Sequence, residues 1–297
     1  MKVVVIGANG QLGMDLMAVF GDQSPLAYAK AQASVVGLIH GDIEITDRDS
    51  VASVLGEVKP DLVINTAAYH KVDDCEKNPD RSFQVNAIGA LNLAVVTESM
   101  NIDLLHISTD YVFDGKKKAP YVETDLPNPL NVYAVTKVAG EHFIAAHSSR
   151  YYIVRSSGLY GHNKCRAKGR NFIDTMLMLV KEKKEVRVVQ DEELTPTYTY
   201  HLAQQIRELV QTRAYGLYHI TNNGSCSWYE FAKAIFENAG IAVTVTPTTV
   251  KEFSSPIKRP HYSVLENAKL QSLGIDHMPM WRESLSHYFM RKAKQKS

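Results

Sequence analysis

Cysteine, net charge and long apolar runs are all scarce in this chain of 297 residues. Its cysteines, Cys75, Cys165 and Cys226, are odd in number and far apart, which favours reduced thiols over a disulfide framework or a zinc site. The formal net charge is only +1, whereas a nucleic-acid partner calls for a basic excess or stripe. No apolar run is typical of a membrane span or a signal peptide. These absences predict a cytoplasmic enzyme with neither nucleic acid nor membrane as a partner.

Metal-ligand patterns are also few. The histidines show no His-x-x-x-His or similar spacing, so we predict no catalytic metal. The run Asp191-Glu192-Glu193 has the carboxylates that a hard divalent cation prefers. Since no second group of ligands accompanies this run, a surface acidic turn is the favoured interpretation and a cation site is the alternative.

Apolar runs alternate with helical patterns, which predicts a parallel sheet covered by helices on both faces. The expected strands are residues 2–6, 35–39, 61–65, 103–107 and 151–154. The expected helices are residues 14–20, one capped by Thr46, one from Asn78 to about 100, 169–184, 199–213 and one opened by the capping box Ser227-x-x-Glu230. The fold class is therefore α/β, a Rossmann doubly wound parallel sheet with a smaller C-terminal substrate-binding lobe. Residues 1–155, completed by about 186–221, would form the dinucleotide-binding domain, and residues 156–185 and 222–297 the substrate lobe.

A glycine-rich segment, Gly7-Ala-Asn-Gly10-Gln-Leu-Gly13, follows the first apolar run directly and precedes a helical pattern. Glycines let the backbone approach a pyrophosphate, and a helix N-terminus adds unpaired N–H groups and the positive end of a dipole. The spacing is G-x-x-G-x-x-G, which differs from the more familiar G-x-G-x-x-G and is typical of short-chain dehydrogenases. The segment predicts NADPH or NADH as the cofactor.

Tyr133 and Lys137 form a Tyr-x-x-x-Lys pair further along the chain. A spacing of four residues on a helix places both side chains on one face, so the Lys137 ammonium can lie near the Tyr133 phenol. A nearby positive charge favours the phenolate and lowers the pKa of tyrosine from about 10 toward neutral pH. Reduction of a carbonyl needs such a proton donor, because the oxygen becomes an alkoxide as hydride arrives.

Two polar segments follow predicted strands. Asn65-Thr-Ala-Ala-Tyr69 comes after the third strand, and Ser108-Thr109-Asp110 comes after the fourth. Both lie where ligands bind in open α/β sheets, at the carboxyl ends of the strands. The small side chains of Ala67 and Ala68 would leave room for a cofactor.

Several segments together resemble the dTDP-4-dehydrorhamnose reductase family. They are residues 7–13, 65–73, 108–113, 131–137, 191–197 and 259–265, so the resemblance extends through essentially the whole chain. Members of this family are extended short-chain dehydrogenases. They reduce the 4-keto group of dTDP-4-dehydro-L-rhamnose with NADPH or NADH, which completes dTDP-L-rhamnose for cell-surface polysaccharides.

The resemblance implies roles for individual residues. Thr109 would hydrogen-bond the keto oxygen, Tyr133 would donate the proton, and Lys137 would hold the nicotinamide ribose and lower the pKa of Tyr133. Arg259 would bind the nucleotide phosphates, for which a guanidinium fork is suited. The other implied substrate contacts are Ser108, Asp110, Tyr111 and Asn171. The implied cofactor contacts are Gly7, Asn9, Gly10, Gln11, Leu12, Gly13, His40, Asp42, Ala67, Ala68, Tyr69, Tyr133 and Lys137. A homodimer is the expected assembly.

Three positions depart from the family pattern. Gly158 stands where the family has a tryptophan near the sugar, which predicts an enlarged or reshaped pocket and leaves the identity of the hexose open. Leu194 stands where the family has a glycine, so the local backbone is expected to differ. His40 follows the second strand, where an arginine often meets a 2′-phosphate, so the choice between NADPH and NADH stays open.

Two alternatives come from other functional classes. One is a non-catalytic dinucleotide-binding module that resembles the regulatory subunit of methionine adenosyltransferase. The presence of Thr109, Tyr133 and Lys137 together argues against it, because a binding module needs no proton donor. The other is a nucleotide-sugar epimerase or dehydratase, which would keep its NAD tightly bound, whereas a reductase exchanges its cofactor.

Overall fold

The structure, a computed structural model, describes residues 1–21, 34–163, 169–182, 184–252 and 257–294. The strands of its central sheet are β1 (Lys2–Ile6), β2 (Ser34–Leu38), β3 (Leu62–Asn65), β4 (Asp103–Thr109), β5 (Tyr151–Ser156) and β10 (Gly216–His219). These strands are all parallel and lie in the order β10-β5-β4-β3-β1-β2. The chain thus winds outward from β1 in both directions, which confirms the predicted doubly wound α/β sheet.

Helices connect these strands. Those that precede β5 are α1 (Gln11–Gly21), α2 (Arg48–Val58), α3 (Val72–Lys77), α4 (Pro79–Phe83), α5 (Gly89–Ser99) and α6 (Val132–His147). A π-helical turn, Gln84–Ile88, joins α4 to α5, and a 3₁₀ turn, Asp110–Val112, follows β4. The later helices are α7 (Phe172–Glu182), α8 (Thr199–Thr212), α9 (Trp228–Ala239), α10 (Ala268–Ser272) and α11 (Trp281–Lys294). No helix in the described part of the chain is long and apolar enough to cross a membrane.

The apolar strands of the central sheet are buried on both faces. Because successive side chains of a strand point to opposite faces, Val3 and Val5 of β1 join one core, whereas Val4 and Ile6 join the other. The first core packs against α1 and α8, and the second packs against α2 and α5. This double burial explains why the strands were visible in the sequence as apolar runs. The five predicted strands match the observed ones to within about two residues at each end.

The carboxyl-terminal part of the chain adds short strands with their own partners. They are β6 (Leu159–Tyr160), β7 (Glu185–Val189), β8 (Glu193–Leu194), β9 (Thr197–Tyr198), β11 (Cys226–Ser227) and β12 (Thr244–Thr248). Strand β7 pairs with β12, β8 with β11, and β6 with β9. An aromatic core that includes Tyr160, Phe231, Trp281 and Tyr288 lies among α7, α9 and α11. Within residues 186–221, α8 and β10 lie with the central sheet, whereas β7 lies with this second core; the division into two lobes stays a prediction.

Helix caps test the local sequence signals. Thr46 was expected to cap the second helix, but this prediction is wrong: the Asp47 carboxylate accepts hydrogen bonds from the N–H groups of Asp49 and Ser50, at 3.0 and 3.4 Å. Thr46 and Asp47 are adjacent, and both have a side-chain oxygen that can cap a helix. Which of them does so depends on which residue stands at the N-cap position of the backbone. The capping box of α9 is confirmed, since Ser227 and Glu230 each accept from the other's backbone N–H.

His219 in β10 and His201 in α8 are buried without charge. The Nδ1 atom of His219 lies 3.0 Å from the carbonyl oxygen of Tyr121, so it carries the ring proton and donates it to that acceptor. Burial lowers the pKa of His219 to about 3 and the pKa of His201 to about 4. Both rings are therefore neutral in the folded chain at neutral pH.

We expect the free energy of unfolding to fall as the pH is lowered from about 6.5 toward 4. The folded pKa of each histidine lies below its unfolded value of about 6.5, so the unfolded chain binds protons that the folded chain does not. Each contributes a slope that approaches about 1.4 kcal/mol per pH unit. Urea unfolding should show a shallower slope, by about one proton, in His219→Asn, whose amide keeps a donor toward Tyr121. Equal slopes in the two chains would mean that His219 is charged in the fold.

Candidate active site

The candidate site lies at the carboxyl edge of the sheet, where β1, β3 and β4 end side by side. The chain leaves β1 at Gly7, β3 at Asn65 and β4 at Thr109. The N–H of Thr66 donates to the carbonyl of Ile6 at 3.0 Å, which joins the loop after β3 to the end of β1. The glycine turn and the two polar segments that follow β3 and β4 therefore meet at one edge, where ligands bind in open α/β sheets.

The glycine turn brings backbone segments closer than other residues allow. Gly7 has a φ of 80°, and a Cβ atom there would lie 2.6 Å from Thr66 Oγ1. A Cβ atom at Gly13 would lie 2.2 Å from the carbonyl oxygen of Gly7. Helix α1 begins at Gln11, so its first N–H groups face the turn. A turn without side chains beside a helix N-terminus fits the pyrophosphate of a dinucleotide.

The other predicted cofactor contacts differ in whether their side chains are exposed to solvent. Asn9 is exposed, whereas the Leu12 side chain is 5% exposed and belongs to the core, so only the backbone of Leu12 can face a ligand. His40 is exposed after β2 and forms an ion-pair contact of 3.5 Å with Glu44. Asp42 is also exposed, but its carboxylate accepts from the N–H of Ile39 at 2.8 Å and so shapes its own turn.

The loop after β3 is held by a side-chain amide from the π-helical turn. Asn86 accepts from the N–H of Tyr69 at 2.9 Å and donates to the carbonyl of Tyr69 at 2.9 Å. Asn86 also donates to Thr136 of α6 at 3.0 Å. This clamp fixes the loop that carries Ala67 and Ala68, both half-buried, against the helix that carries Tyr133.

Tyr133 lies in the first turn of α6. Asn131 caps this helix by accepting from the N–H of Ala134 at 2.9 Å, and its amide donates to the carbonyl of Lys258 at 3.0 Å. The Tyr133 ring contacts Tyr111 edge-on, with ring centroids 6.2 Å apart. These contacts bring Tyr133 near Thr109, whose hydroxyl acts on the pKa of the phenol.

The electrostatics of Tyr133 differ from the prediction. Burial raises the pKa of Tyr133, and the hydrogen bond with Thr109 only partly offsets this. Lys137 does not contribute to the shift, because its ammonium nitrogen points the other way, 2.7 Å from His106 Nε2 and 2.7 Å from the carbonyl oxygen of Ile107. The expectation that Lys137 lowers the pKa of Tyr133 is therefore wrong for this structure. Helical spacing put both residues on one face, but the flexible lysine stem reaches the buried end of β4.

Lys137 itself is almost completely buried, with 1% of its side chain exposed. Burial lowers the pKa of Lys137 to about 8, and Glu141, one turn further along α6, acts in the opposite direction. The carboxylate of Glu141 is already bound by Arg155, at 3.0 and 2.6 Å, and by the hydroxyl of Ser108. Ser108 was predicted to contact substrate, but its hydroxyl is directed at this buried ion pair instead.

Asp110 is also turned inward. Its carboxylate accepts from the hydroxyls of Ser157 and Ser263, at 2.8 and 2.6 Å, and from Thr109 at 3.1 Å. Only 4% of Asp110 is exposed, and burial raises its pKa despite the serine hydrogen bonds. The predicted substrate contact is therefore replaced by a structural one, in which Asp110 orients Thr109 and ties β4 to the carboxyl-terminal segment.

Asn171 likewise has its polar atoms occupied. Its amide oxygen caps α7 by accepting from the N–H of Asp174 at 2.9 Å, and its amide nitrogen donates to the carbonyl of Gly161 at 2.9 Å. A role in binding substrate was predicted, but the side chain is 7% exposed and has no donor or acceptor directed at the pocket. Asn171 was thus recognisable in the sequence as a helix cap and not as a substrate ligand.

The charge of Arg259 acts on Tyr111 and on Glu192, a residue that sequence reasoning missed. Burial raises the pKa of Glu192 and of Tyr111, and the Arg259 charge lowers both in part. Trp228 donates its indole N–H to Glu192 at 3.2 Å. The favoured surface acidic turn is therefore wrong at Glu192, which lies between an aromatic ring and an arginine. In the sequence, Glu192 was visible only as one carboxylate of the acidic run 191–193, which we interpreted as surface.

The other acidic side chains of that run have separate partners. Asp191 accepts from the N–H of Val250 at 2.9 Å, and Glu193 accepts from the Ser225 hydroxyl at 2.6 Å. Across the described ranges, no three His, Cys, Asp or Glu side chains are arranged to hold a metal ion. Of the predicted thiols, Cys75 and Cys226 are free and buried, while Cys165 lies outside the described residues.

Comparison with known proteins adds an independent observation. The profile of the RmlD substrate binding domain matches residues 1–293. SpsK, a spore coat polysaccharide biosynthesis protein of Bacillus subtilis, is 38% identical over 98% of this chain and 98% of its own length. A dTDP-4-dehydrorhamnose reductase of Clostridium acetobutylicum is 41% identical and superposes with a TM-score of 0.92, covering 99% of this chain and 100% of that one.

A second solved structure carries a cofactor. The dTDP-4-dehydrorhamnose reductase of Bacillus anthracis, in complex with NADP, is 40% identical with a TM-score of 0.90, covering 98% of this chain and 99% of that one. Profile, sequence identity and fold agree over nearly the full length. The chain therefore belongs to the family of the RmlD substrate binding domain, and the predicted resemblance to dTDP-4-dehydrorhamnose reductases is confirmed.

Proposed function

We propose that this protein reduces the 4-keto group of a dTDP-linked deoxysugar with NADPH or NADH, and that the sugar is dTDP-4-dehydro-L-rhamnose. The product would be dTDP-L-rhamnose for cell-surface polysaccharides. The observation that carries the proposal is that Thr109 and Tyr133 lie near each other at the sheet edge that also carries the glycine turn. The full-length similarity to reductases of this kind supports it.

The chemistry follows from the protonation of the pair. The dinucleotide would be held at the turn of Gly7 to Gly13 and would supply hydride when bound. Thr109 and Tyr133 would both donate hydrogen bonds to the keto oxygen and stabilise the charge that develops there. Because burial raises its pKa, Tyr133 stays protonated at neutral pH and can transfer its proton to the alkoxide. The raised pKa keeps the phenol in the acid form that reduction requires, but makes it a weaker acid than the sequence predicted.

The nucleotide end of the substrate would lie toward Arg259. A guanidinium group makes paired hydrogen bonds with phosphate oxygens, and Glu192 beside it would hold its orientation. Tyr111, next to both Tyr133 and Arg259, would then line the path from the phosphates to the keto group. Residues near 156–160 would face the sugar.

The sugar pocket is not simply enlarged at Gly158. This glycine has a φ of 55°, and a Cβ atom there would lie 2.8 Å from Leu194 Cδ1 and 3.1 Å from the Cα of Pro196. Leu194 is 4% exposed, so it fills the volume in the interior instead of lining an open space. The two departures from the family pattern, Gly158 and Leu194, thus pack against each other.

Cofactor choice depends on the turn after β2. His40 is exposed and pairs with Glu44, so it offers a weaker contact for a 2′-phosphate than the forked guanidinium of an arginine would. We propose that both NADPH and NADH are accepted. The NADP complex of the Bacillus anthracis relative supports binding of the phosphorylated form. We also propose that the protein is cytoplasmic and that it forms a homodimer.

The alternatives make different demands on the cofactor. An epimerase or dehydratase would purify with NAD tightly bound, whereas the proposed reductase releases its cofactor after each turnover. A regulatory module that resembles the methionine adenosyltransferase subunit would bind a dinucleotide without oxidising it. Denaturing the purified protein and measuring released NAD separates the first alternative. Substrate-dependent oxidation of NADPH separates the second.

We expect Tyr133→Phe to lose turnover by a factor of about 10² to 10⁴, because a positioned general acid is removed. Cofactor binding should persist, since the ring keeps its contact with Tyr111. The measurement follows NADPH and NADH absorbance with enzymatically prepared dTDP-4-dehydro-L-rhamnose. Tyr151→Phe is the matched control and should keep its activity, because Tyr151 lies at the amino end of β5, away from the sheet edge that carries the site. Full activity in Tyr133→Phe would remove Tyr133 from the mechanism.

We also expect Gly158→Ala to destabilise the fold more than Gly240→Ala does. Both glycines have positive φ, which costs alanine about 1 kcal/mol, but only Gly158 has atoms within contact distance of a Cβ atom. Adding Leu194→Ala should remove part of the excess cost, because only the backbone contacts with Thr195 and Pro196, at 3.1 Å, remain; a double-mutant cycle of urea unfolding measures this. Equal effects of the two glycine substitutions would contradict the assigned packing of Leu194.

A further inference from the structure

The segment of residues 258–263 is bonded at both of its ends to the elements that carry the reacting groups. At one end, the carbonyl of Lys258 accepts from the side-chain amide of Asn131, the residue that caps α6, at 3.0 Å. At the other end, the hydroxyl of Ser263 donates to Asp110 Oδ2 at 2.6 Å. The segment therefore joins the start of α6 to the residue that follows β4.

The backbone of this segment is itself held by β8. The N–H of Glu193 donates to the carbonyl of His261 at 2.8 Å, and the N–H of Ser263 donates to the carbonyl of Glu193 at 2.8 Å. Tyr262 and Glu193 form a parallel bridge between these two hydrogen bonds. The side chain of Ser263, which is 3% exposed, thus reaches Asp110 from a fixed backbone.

The carboxylate of Asp110 receives three hydroxyl donors, which are divided between its two oxygens. Ser263 and Ser157 donate to Oδ2 at 2.6 and 2.8 Å, whereas Thr109 donates to Oδ1 at 3.1 Å. Thr109 makes the longest of the three hydrogen bonds. Thr109 Oγ1 also accepts from the N–H of Tyr111 at 3.2 Å, which holds the oxygen without using its proton.

The single proton of a hydroxyl imposes a choice on Thr109. Thr109 can donate to a keto oxygen only when it releases Asp110. A buried carboxylate that loses a donor is destabilised, because water does not replace the lost hydrogen bond. The two donors that remain on Oδ2 lessen this cost, and the hydrogen bond from Ser263 is the shorter of them. The hydroxyl of Ser263 thus makes it easier for Thr109 to turn its proton to a substrate.

We propose that Ser263 is a positioning residue for the reduction, which acts through Asp110 to free the proton of Thr109 for the keto oxygen. The proposal rests on the proposed function, in which Thr109 donates to that oxygen. Ser263 itself touches neither substrate nor cofactor. Because Ser263 and Arg259 lie on one segment, the same piece of backbone that would bind the nucleotide phosphates also prepares the donor at the other end of the substrate.

The first experiment separates kcat from KM in Ser263→Ala. Without the Ser263 donor, Asp110 holds the Thr109 proton more firmly, and the hydrogen bond that strengthens as the alkoxide forms is weakened. We expect kcat to fall by about 10- to 100-fold and KM for dTDP-4-dehydro-L-rhamnose to change by less than about twofold. A rise in KM at unchanged kcat would assign Ser263 to ground-state binding and overturn the proposal.

Ser284→Ala is the matched control for this experiment. Ser284 is also a buried serine with polar partners: its hydroxyl accepts from the amide of Asn222 at 2.6 Å and lies 3.0 Å from His201 Nδ1. None of these partners belongs to the link between Ser263 and Thr109, so kcat should be unchanged. An equal loss of kcat in Ser284→Ala would mean that any buried serine has this effect, which contradicts the proposal.

The second experiment asks whether Ser263 acts through Thr109. Thr109→Val removes the hydroxyl but keeps the branched shape, and should lower kcat by about 10²-fold. In the Thr109→Val background, Ser263→Ala should lower kcat by less than a further factor of about two, because no proton is left to free. A further tenfold loss would show that Ser263 acts by another route.

The third measurement needs neither substrate nor cofactor. Ser263 and Thr109 donate to opposite oxygens of one buried carboxylate, so each donor compensates in part for loss of the other. Losing both should raise the unfolding equilibrium constant by at least about threefold more than the product of the separate effects, as urea unfolding measures. Ser284→Ala combined with Thr109→Val should give the simple product. A simple product for Ser263→Ala as well would refute the link.

These measurements distinguish failure of the link from failure of the proposed function. If the unmodified protein oxidises neither NADPH nor NADH with the sugar nucleotide, the proposed function is rejected and the urea cycle alone decides the link. If Ser263→Ala does not fold, Ser263→Cys takes its place in each comparison, because a thiol has a similar size but is a weaker donor.

Discussion

The buried ion pair of Arg155 and Glu141 fixes the helix that carries the reacting groups. It joins β5 to α6, with the shortest N–O distance 2.6 Å, and the Ser108 hydroxyl of β4 adds a further hydrogen bond to the same carboxylate. The two side chains are 3% and 7% exposed, so each charge depends on the other for its solvation. Removing one partner of such a pair costs about 3–5 kcal/mol. Tyr133 and Lys137 therefore stand on a helix whose distance from the sheet edge is set by charge as well as by packing.

Burial shifts the pKa of nearly every titratable group at the site in the direction that favours the neutral form. It raises the pKa of Tyr133, Tyr111 and Asp110 and lowers the pKa of Lys137 and His106, so each is shifted toward its neutral form. A site of low polarity strengthens the hydrogen bonds that a developing alkoxide would receive.

The sequence was informative wherever a local pattern has one physical meaning. Apolar runs buried on both faces marked the central strands, and the glycine turn marked backbone that passes too close to Thr66 for a side chain. Contacts between distant segments were not readable. The meeting of Asn65 with His106 depends on the register of β3 and β4, in which these residues are direct partners. The inward hydroxyl of Ser108 and the turned stem of Lys137 likewise depend on rotamers that packing decides.

The clamp of Asn86 on Tyr69 has a consequence for the entropy of ligand binding. One side-chain amide satisfies both the N–H and the carbonyl of a residue outside any strand, as a neighbouring strand would. The extra residue of the π-helical turn carries this amide toward the loop. The loop is thus ordered when the chain folds, and the loss of its backbone freedom is already complete before a ligand arrives. Ligand binding then causes no further loss of backbone entropy in this loop.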